Sequence, residues 1–163
     1  MNKNEVVIYI HVIHANMSEI SGVTFPIPKS YIPRFFDQGK TIFIKPASTF
    51  KKIRSGLKFI FYQSQEDTGY VGEAIIKKIT IAEDPFSFYN LYGDSIFLTQ
   101  AELEKYIETN NKWIKIHYER KSKPRKKKWL AIELDSFLKY DEPIKPKQFV
   151  PIGGKYIMND SKE

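Results

Sequence analysis

The sequence predicts a mainly β fold with α-helical insertions: a small β-barrel of about six strands with two or three short helices. Runs of β-branched and aromatic residues recur along the 163-residue chain, which contains 12 Phe and 10 Tyr. These runs do not alternate regularly with helical segments, as they do in a doubly wound sheet. The chain is long enough to bury a core without disulfides, and it has no cysteine. We therefore expect a single domain over residues 1–163.

Four strands are expected in the first half of the chain, where apolar residues run together or alternate with polar ones. They are EVVIYIHVI (5–13), KTIFIKP (40–46), GLKFIFYQS (56–64) and GYVGEAIIKKITIA (69–82), the last one bent near Gly72 or Lys77. GVTFPIP (22–28) is expected to be an extended loop, because Pro26 and Pro28 cannot donate ladder hydrogen bonds. KSYIPRFFDQG (29–39) predicts a short helix that ends at Gly39.

The second half predicts helical segments followed by a β-hairpin. DPFSFYNLYGD (84–94) has the pattern of a helical turn, and Thr99 with Glu102 has the spacing of a capping box that begins a helix. KWIKIHYER (112–120) and KKWLAIEL (127–134) predict two strands joined by a basic, proline-containing turn. Residues 135–163 are proline-rich, and we expect them to wrap the surface as an irregular arm.

The net charge of +7 is concentrated in one short segment. Residues 112–130 hold nine of the 26 basic residues and one of the 19 acidic residues, so that acidic residues slightly outnumber basic ones elsewhere. Such a local cluster favours a polyanionic partner, because each neutralised phosphate releases counterions. The alternative is a solvated turn. The predicted phosphate contacts in the hairpin are Arg120, Lys121, Lys123, Arg125, Lys126, Lys127 and Lys128.

Several short motifs resemble those of PUA-like domains. FYQS (61–64), GYVGEA (69–74) and EDP (83–85) are together similar to the EVE branch. GKTIFIK (39–45) is similar to the ASCH branch, in which a Gly and a Lys are followed by a further basic residue. With TFPIP (24–28) and KPKQFVPIGGKY (145–156), the chain is most similar to an archaeal group of PUA-like proteins. The resemblance implies a PUA-like pseudo-β-barrel with a cleft that relatives use to bind RNA or a modified base.

The same resemblance implies an alternative, enzymatic function. Some ASCH relatives hydrolyse acetylated cytidine with a Lys, a Thr and a Glu. This chain departs from their pattern, because one residue is missing between Gly39 and Lys40 and Phe43 stands where the Thr would be. The alternative is thus a small hydrolase of modified nucleosides in which Lys40 and Glu73 transfer protons.

Two further groups of residues are candidates for nucleic-acid contact. A cationic group after the second strand could line a phosphate-binding cleft, although an ordinary charged loop has the same composition; it comprises Lys40, Lys45, Lys51, Lys52 and Arg54. At the facing ends of two strands, Tyr62, Ser64 and Tyr70 could form a pocket for one splayed base. Alternation places Phe61 in the core and Tyr62 on the opposite face.

The remaining classes of function find little support in the sequence. His11, His14 and His117 have no ligand spacing, and no phosphate-loop or dinucleotide motif occurs, so no metal or cofactor is expected. No apolar run is long enough to cross a bilayer, and we expect a cytoplasmic protein without membrane contact. Nucleic acid is the expected partner, RNA before modified DNA. A protein-interaction module with a merely solubilising basic segment is a third hypothesis.

Overall fold

A six-stranded, curled sheet forms the frame of the protein. The computed structural model describes residues 20–47, 51–118 and 128–159. The strands are β1 (Ile20–Pro28), β2 (Ile42–Pro46), β3 (Lys58–Ser64), β4 (Gly69–Ala82), β5 (Trp129–Ile144) and β6 (Lys155–Met158). Their order across the sheet is β2-β5-β4-β3-β1-β6, and only β1 and β3 are parallel. The sheet curls into a half-barrel, which confirms the predicted fold class.

The two longest strands, β4 and β5, form the back of this half-barrel. Their pairing changes register three times, between Tyr70 and Gly72, between Glu73 and Ile75, and between Ile76 and Lys78. Such bulges increase the local twist and bend the strands. The first and third shifts fall at the two positions predicted for a bend. Gly72 also permits close packing, because a Cβ at this position would lie 2.4 Å from Cζ of Phe36.

The described residues form three α-helices, which lie in the connections between strands, as expected. They are α1 (Ile32–Phe36), α2 (Phe88–Tyr92) and α3 (Gln100–Tyr118), with 3-10 turns at Lys29–Tyr31, Pro85–Ser87 and Gly93–Ser95. Pro33 lies in the first turn of α1, and Gly39 follows the helix with a φ of +72°. The capping box of α3 is confirmed. The amide of Thr99 donates to Glu102 Oε1 at 2.8 Å, and the amide of Glu102 donates to Thr99 Oγ1 at 3.1 Å.

A row of phenylalanines forms the core between the sheet and the helices. Phe25 stacks on Phe43 with ring centroids 5.4 Å apart, and Phe43 stacks on Phe97 at 5.1 Å. Phe97 in turn stacks on Phe35 of α1 at 5.2 Å. The prediction for Phe61 is confirmed, because its side chain is fully buried while Tyr62 lies on the other, half-buried face of β3.

One predicted strand is a helix. Residues 112–118 continue α3, which runs for 19 residues, so the basic segment follows a helix and no β-hairpin flanks it. The alternation in KWIKIHY is short, and the capping box has already nucleated a helix that each further residue extends at low cost. Residues 119–127, with Arg120, Lys121, Lys123, Arg125, Lys126 and Lys127, lie outside the described residues.

Two segments expected to be irregular contain strands. The predicted arm over 135–163 is part of β5 as far as Ile144 and pairs again as β6, so among its described residues only 145–154 and 159 lack strand structure. GVTFPIP belongs to β1 despite its prolines. The prolines are tolerated because β6 pairs only with Ile20–Thr24, and the following half of β1 pairs with β3 alone among the described strands. The predicted strand 5–13 lies outside the described residues.

Candidate functional site

A cleft of about 470 Å³ opens between the end of β1, β2 and the exposed side of α3. We call it the α3 cleft. Aromatic and apolar side chains dominate its lining, and polar groups come mainly from α3. Its lining residues are Pro26, Ile27, Pro28, Tyr31, Phe43, Ile44, Phe97, Leu98, Glu102, Lys105, Tyr106 and Thr109. This volume lies in the range of small-ligand sites, roughly 300–1,000 Å³.

A bidentate ion pair forms one wall of the α3 cleft. Arg34 Nη1 donates to Glu102 Oε1 at 2.6 Å and Nη2 donates to Oε2 at 2.9 Å. Nη1 also donates to the carbonyl of Phe97 at 2.8 Å, and the guanidinium lies 4.3 Å from the ring centroid of Tyr31. The pair joins α1 to α3 and fixes the loop that carries Phe97.

The electrostatics of this wall follow from the ion pair. The hydrogen bonds from Arg34 lower the pKa of Glu102 from 4.5 to about 2, with a smaller contribution from Thr99. The pKa of Arg34 is raised by the same hydrogen bonds. Burial raises the pKa of Tyr31, and the nearby Glu102 carboxylate adds to this rise. At neutral pH the cleft therefore has a charged but internally paired wall and a neutral tyrosine.

A second cleft lies on the other side of the Arg34–Glu102 pair and shares Phe97 and Leu98 with the first. Its volume is about 640 Å³ and its lining is more polar. Lys40 lies here, and its Nζ donates to the carbonyl of Asp94. We call it the Lys40 cleft. The lining residues are Ser30, Arg34, Gln38, Lys40, Tyr89, Gly93, Asp94, Ile96, Phe97, Leu98, Thr99 and Gln100.

The start of β5, directly after Lys128 at the end of the basic segment, lies beside the α3 cleft. Tyr106 lines the cleft and packs edge-on against Trp129 at 5.6 Å between ring centroids. Trp129 directly follows Lys128, which is exposed and whose carbonyl accepts a hydrogen bond from the amide of Ala47 at 2.8 Å. Lys105, Thr109 and Lys112 are spaced to share one face of α3. The cleft thus lies close to the point where the basic segment ends.

The predicted cationic group is divided between two places. Lys40 precedes β2 and faces the turn at 93–95, whereas Lys45 lies near the other end of β2, roughly 16 Å away along extended chain. Lys45 Nζ donates to the carbonyl of Gly153 at 3.1 Å and lies 4.1 Å from the ring centroid of Phe25. Burial lowers its pKa to about 8. Lys51, Lys52 and Arg54 are exposed, and the amide of Lys52 donates to the Tyr156 hydroxyl at 2.9 Å.

Two of the three residues predicted for a base pocket are in contact, and none of the three lines the α3 cleft. Tyr62 and Tyr70 are cross-strand neighbours with ring centroids 5.8 Å apart in a T-shaped arrangement. Tyr70 is only 4% exposed, so that its ring has no face open to a base. Ser64 is half-buried at the end of β3 and pairs with Pro28. Of the three, only Tyr62 and Ser64 are accessible to a ligand.

The two candidate proton-transfer residues belong to different places. Glu73 accepts a hydrogen bond from the Tyr140 hydroxyl at 3.0 Å, and Lys58 Nζ lies 3.5 Å from its carboxylate. Lys40 instead contacts the 93–95 turn. Burial and the hydrogen bond to Glu73 raise the pKa of Tyr140. Phe43, which the resemblance places where ASCH relatives have a threonine, stacks in the core and lines the α3 cleft with its apolar ring.

Most residues of the α3 cleft have no signal in the sequence that marks them as a site. Arg34 and Glu102 are 68 residues apart, and the capping role of Glu102 already gave that residue an explanation. Lys105, Tyr106 and Thr109 follow the 3.6-residue helical period on one face of α3. That period was the available signal, because it shows that these residues share one side of α3, whereas the packing against the end of β1 is decided by the tertiary structure.

Comparison with proteins of known structure defines the class. A crystal structure of the ASCH protein of Zymomonas mobilis aligns with a TM-score of 0.56 at 13% identity, over 84% of this chain and 87% of that chain. A point mutant of the same protein aligns with a TM-score of 0.61 at 13% identity, over 86% of this chain and 90% of that chain. The chain therefore has the PUA-like, ASCH-type fold.

Residues 20–159 match the domain family of unknown function DUF365, and the chain belongs to this family. The chain is similar to an uncharacterised protein of the archaeon Methanocaldococcus jannaschii, with 41% identity over 107 residues. The alignment covers 66% of this chain and 94% of that protein. Among the described residues, no group of three or more acidic, His or Cys side chains is arranged to hold a metal ion. The described helices are too short or too polar to traverse a bilayer.

Proposed function

We propose that this protein binds nucleic acid, RNA before modified DNA, and holds one unpaired or modified base in the α3 cleft. The observation that carries the proposal is the contact between Tyr106 and Trp129, which brings an aromatic-lined cleft next to the end of the basic segment. A base requires apolar and aromatic surface, and its flanking phosphates require cations. This region of the chain offers both, side by side.

The shape of the two clefts supports an extruded base rather than a paired one. The α3 cleft is floored by Phe43 and Phe97, which are buried, and its mouth is bounded by Tyr31 and Tyr106. An apolar floor with polar edges suits a flat heterocycle. Single-stranded RNA is the favoured partner, because proteins read RNA sequence mostly from unpaired bases.

The Lys40 cleft supplies a place for the adjoining backbone. It meets the α3 cleft at Phe97 and Leu98, and it is lined by Lys40 and by hydroxyl and amide side chains such as Ser30 and Gln100. Phosphate and ribose oxygens suit such groups. A strand that crosses the Arg34–Glu102 pair would place its base on one side and its phosphate on the other.

Occupation of the α3 cleft is tested by narrowing its mouth. Thr109→Trp adds an indole where exposed Thr109 lines the cleft, and Asn111→Trp adds the same group to an exposed position of the same helix outside it. We expect Thr109→Trp to weaken binding of a labelled single-stranded RNA in fluorescence anisotropy, whereas Asn111→Trp binds as the wild type. Equal affinities for both variants would contradict base binding in this cleft.

Phosphate contact is tested separately by charge reversal. Lys105→Glu should weaken binding and reduce the slope of log affinity against log salt, by about 0.7 for one phosphate contact to a single strand. Lys78→Glu, an exposed lysine on β4 that lines neither cleft, is the matched control. Modified nucleosides screened by thermal shift then identify the base, since a ligand of the native state raises the Tm.

A further inference from the structure

The connection between β5 and β6 exposes two large apolar side chains. Phe149 is 84% exposed and Ile152 is 94% exposed, the highest values among large apolar residues in the described part of the chain. Between them Val150 is buried, and the amide of Gly154 donates to the carbonyl of Pro151 at 2.9 Å. The connection is therefore anchored, and it holds Phe149 and Ile152 outwards.

The connection and the β2–β3 segment that contacts it are both rich in basic residues. Lys45 Nζ reaches the carbonyl of Gly153, and the Tyr156 hydroxyl accepts from the amide of Lys52, so the β2–β3 segment lies against the connection. No Asp or Glu occurs in residues 38–65 or 143–159. We call this surface the β6 face. Its exposed basic residues are Lys51, Lys52, Arg54, Lys145 and Lys147, and its partly buried ones are Lys45 and Lys155.

The combination of aromatic and cationic groups on the β6 face indicates what kind of partner it would bind. A second copy of the chain would bring two positive faces together, which is unfavourable. A polyanion gains from the cations, and a nucleic acid also offers base faces for an exposed phenyl ring. We propose that the β6 face is a second nucleic-acid contact, in which Phe149 stacks on an unpaired base while the surrounding lysines hold the flanking phosphates.

This contact uses the same class of polymer as the proposed function but none of the residues that line the α3 cleft. Stacking and phosphate contact make separable contributions. Phe149→Ala removes the ring and no charge, so we expect it to weaken single-stranded RNA binding about fivefold or more with an unchanged salt slope. Leu91→Ala, which truncates an exposed apolar residue on α2, is the control and should bind as the wild type.

A tryptophan at the contact reports stacking directly. Phe149→Trp should show fluorescence quenching on addition of single-stranded RNA, beyond the change seen in the wild type with Trp113 and Trp129. The same protein is mixed with vesicles of phosphatidylserine and phosphatidylcholine. A blue shift with vesicles and no response to RNA would overturn the proposal in favour of a membrane surface. The variants should unfold at the same denaturant midpoint as the wild type, because the ring is exposed.

The outcomes separate this inference from the proposed function. Loss of binding with Thr109→Trp and none with Phe149→Ala would overturn the β6 contact and leave the α3 cleft intact. Loss with Phe149→Ala and none with Thr109→Trp would support the β6 contact alone. If the wild type binds neither single-stranded RNA nor single-stranded DNA at low salt, both proposals fail.

Discussion

The α3 cleft and the β6 face differ in how their charged side chains are arranged. In the cleft, the guanidinium of Arg34 is matched by the Glu102 carboxylate at 2.6 Å and 2.9 Å, and both side chains are about three-quarters buried. On the β6 face, basic residues cluster in two segments that have no acidic residue at all. The cleft is concave and its wall is electrically balanced, whereas the face carries exposed basic residues.

This difference indicates what each region contributes to binding. The Arg34–Glu102 ion pair keeps the wall of the cleft rigid and adds little long-range attraction for a charged ligand. Such a cleft suits recognition of one base by its shape. An exposed basic face attracts polyanions and loses affinity for them as salt rises. Substitutions in the cleft wall are therefore expected to change the free energy of unfolding, and substitutions on the β6 face are expected to change the salt dependence of binding.

The largest expected effect is on stability, from the cleft wall. Arg34→Ala removes three hydrogen bonds and leaves the Glu102 carboxylate without its partner. We expect a loss of about 2 kcal/mol in the free energy of unfolding, measured by urea denaturation. Lys51→Ala on the β6 face should change it by less than about 0.5 kcal/mol, because the side chain is exposed. Equal effects would contradict the contrast between the regions.

The next effect is on the salt dependence of binding. Lys51→Glu combined with Lys52→Glu should reduce the slope of log affinity against log salt by about 1.4, for two phosphate contacts to a single strand. Thr109→Trp should lower the affinity and leave that slope unchanged. Anisotropy titrations at several salt concentrations distinguish the two results. A slope that is insensitive to both lysines would remove the β6 face from the binding surface.

A smaller effect follows from the pKa of Glu102, which is about 2 in the folded protein against an ordinary value of 4.5. The unfolded chain binds this proton more readily, so the stabilisation is fully present above about pH 4.5 and is lost as the pH falls towards 2. Glu102→Gln should therefore be less stable than the wild type at neutral pH. The difference in unfolding free energy should shrink on acidification; a constant difference would show that the carboxylate charge is unimportant.

The smallest effect concerns Lys45. Burial lowers the pKa of this side chain from 10.5 to about 8. As the pH rises, the folded protein loses this proton at a lower pH than the unfolded chain does. The free energy of unfolding should therefore rise with pH between about 8 and 10.5. Lys45→Met should lack this rise. The chemical shift of the Lys45 Cε, followed by NMR, should titrate near pH 8. An ordinary titration would mean that the side chain leaves the ring of Phe25 for solvent.

The sequence predicted the features that depend on local pattern. Alternation in KFIFYQS placed Phe61 in the core and Tyr62 on the other face, and the Thr99–Glu102 spacing gave the start of α3. It did not predict where α3 ends, since its last turns alternate as a strand does. The prolines of β1 were also misleading, because a proline is excluded from a strand only where a neighbouring strand needs its missing N–H, and β6 pairs only with the first half of β1.

By itself, then, the amino-acid sequence determined the mainly β class, the strands β2 to β4 and the local concentration of positive charge. Only the tertiary structure decided which of these residues meet. Arg34 contacts Glu102, which is 68 residues away in the chain. Lys40 and Lys45 lie on different surfaces, and the ring of Tyr70 is buried. The physical reason is that periodicity fixes which face a side chain occupies, whereas sheet order and helix packing fix what lies opposite that face.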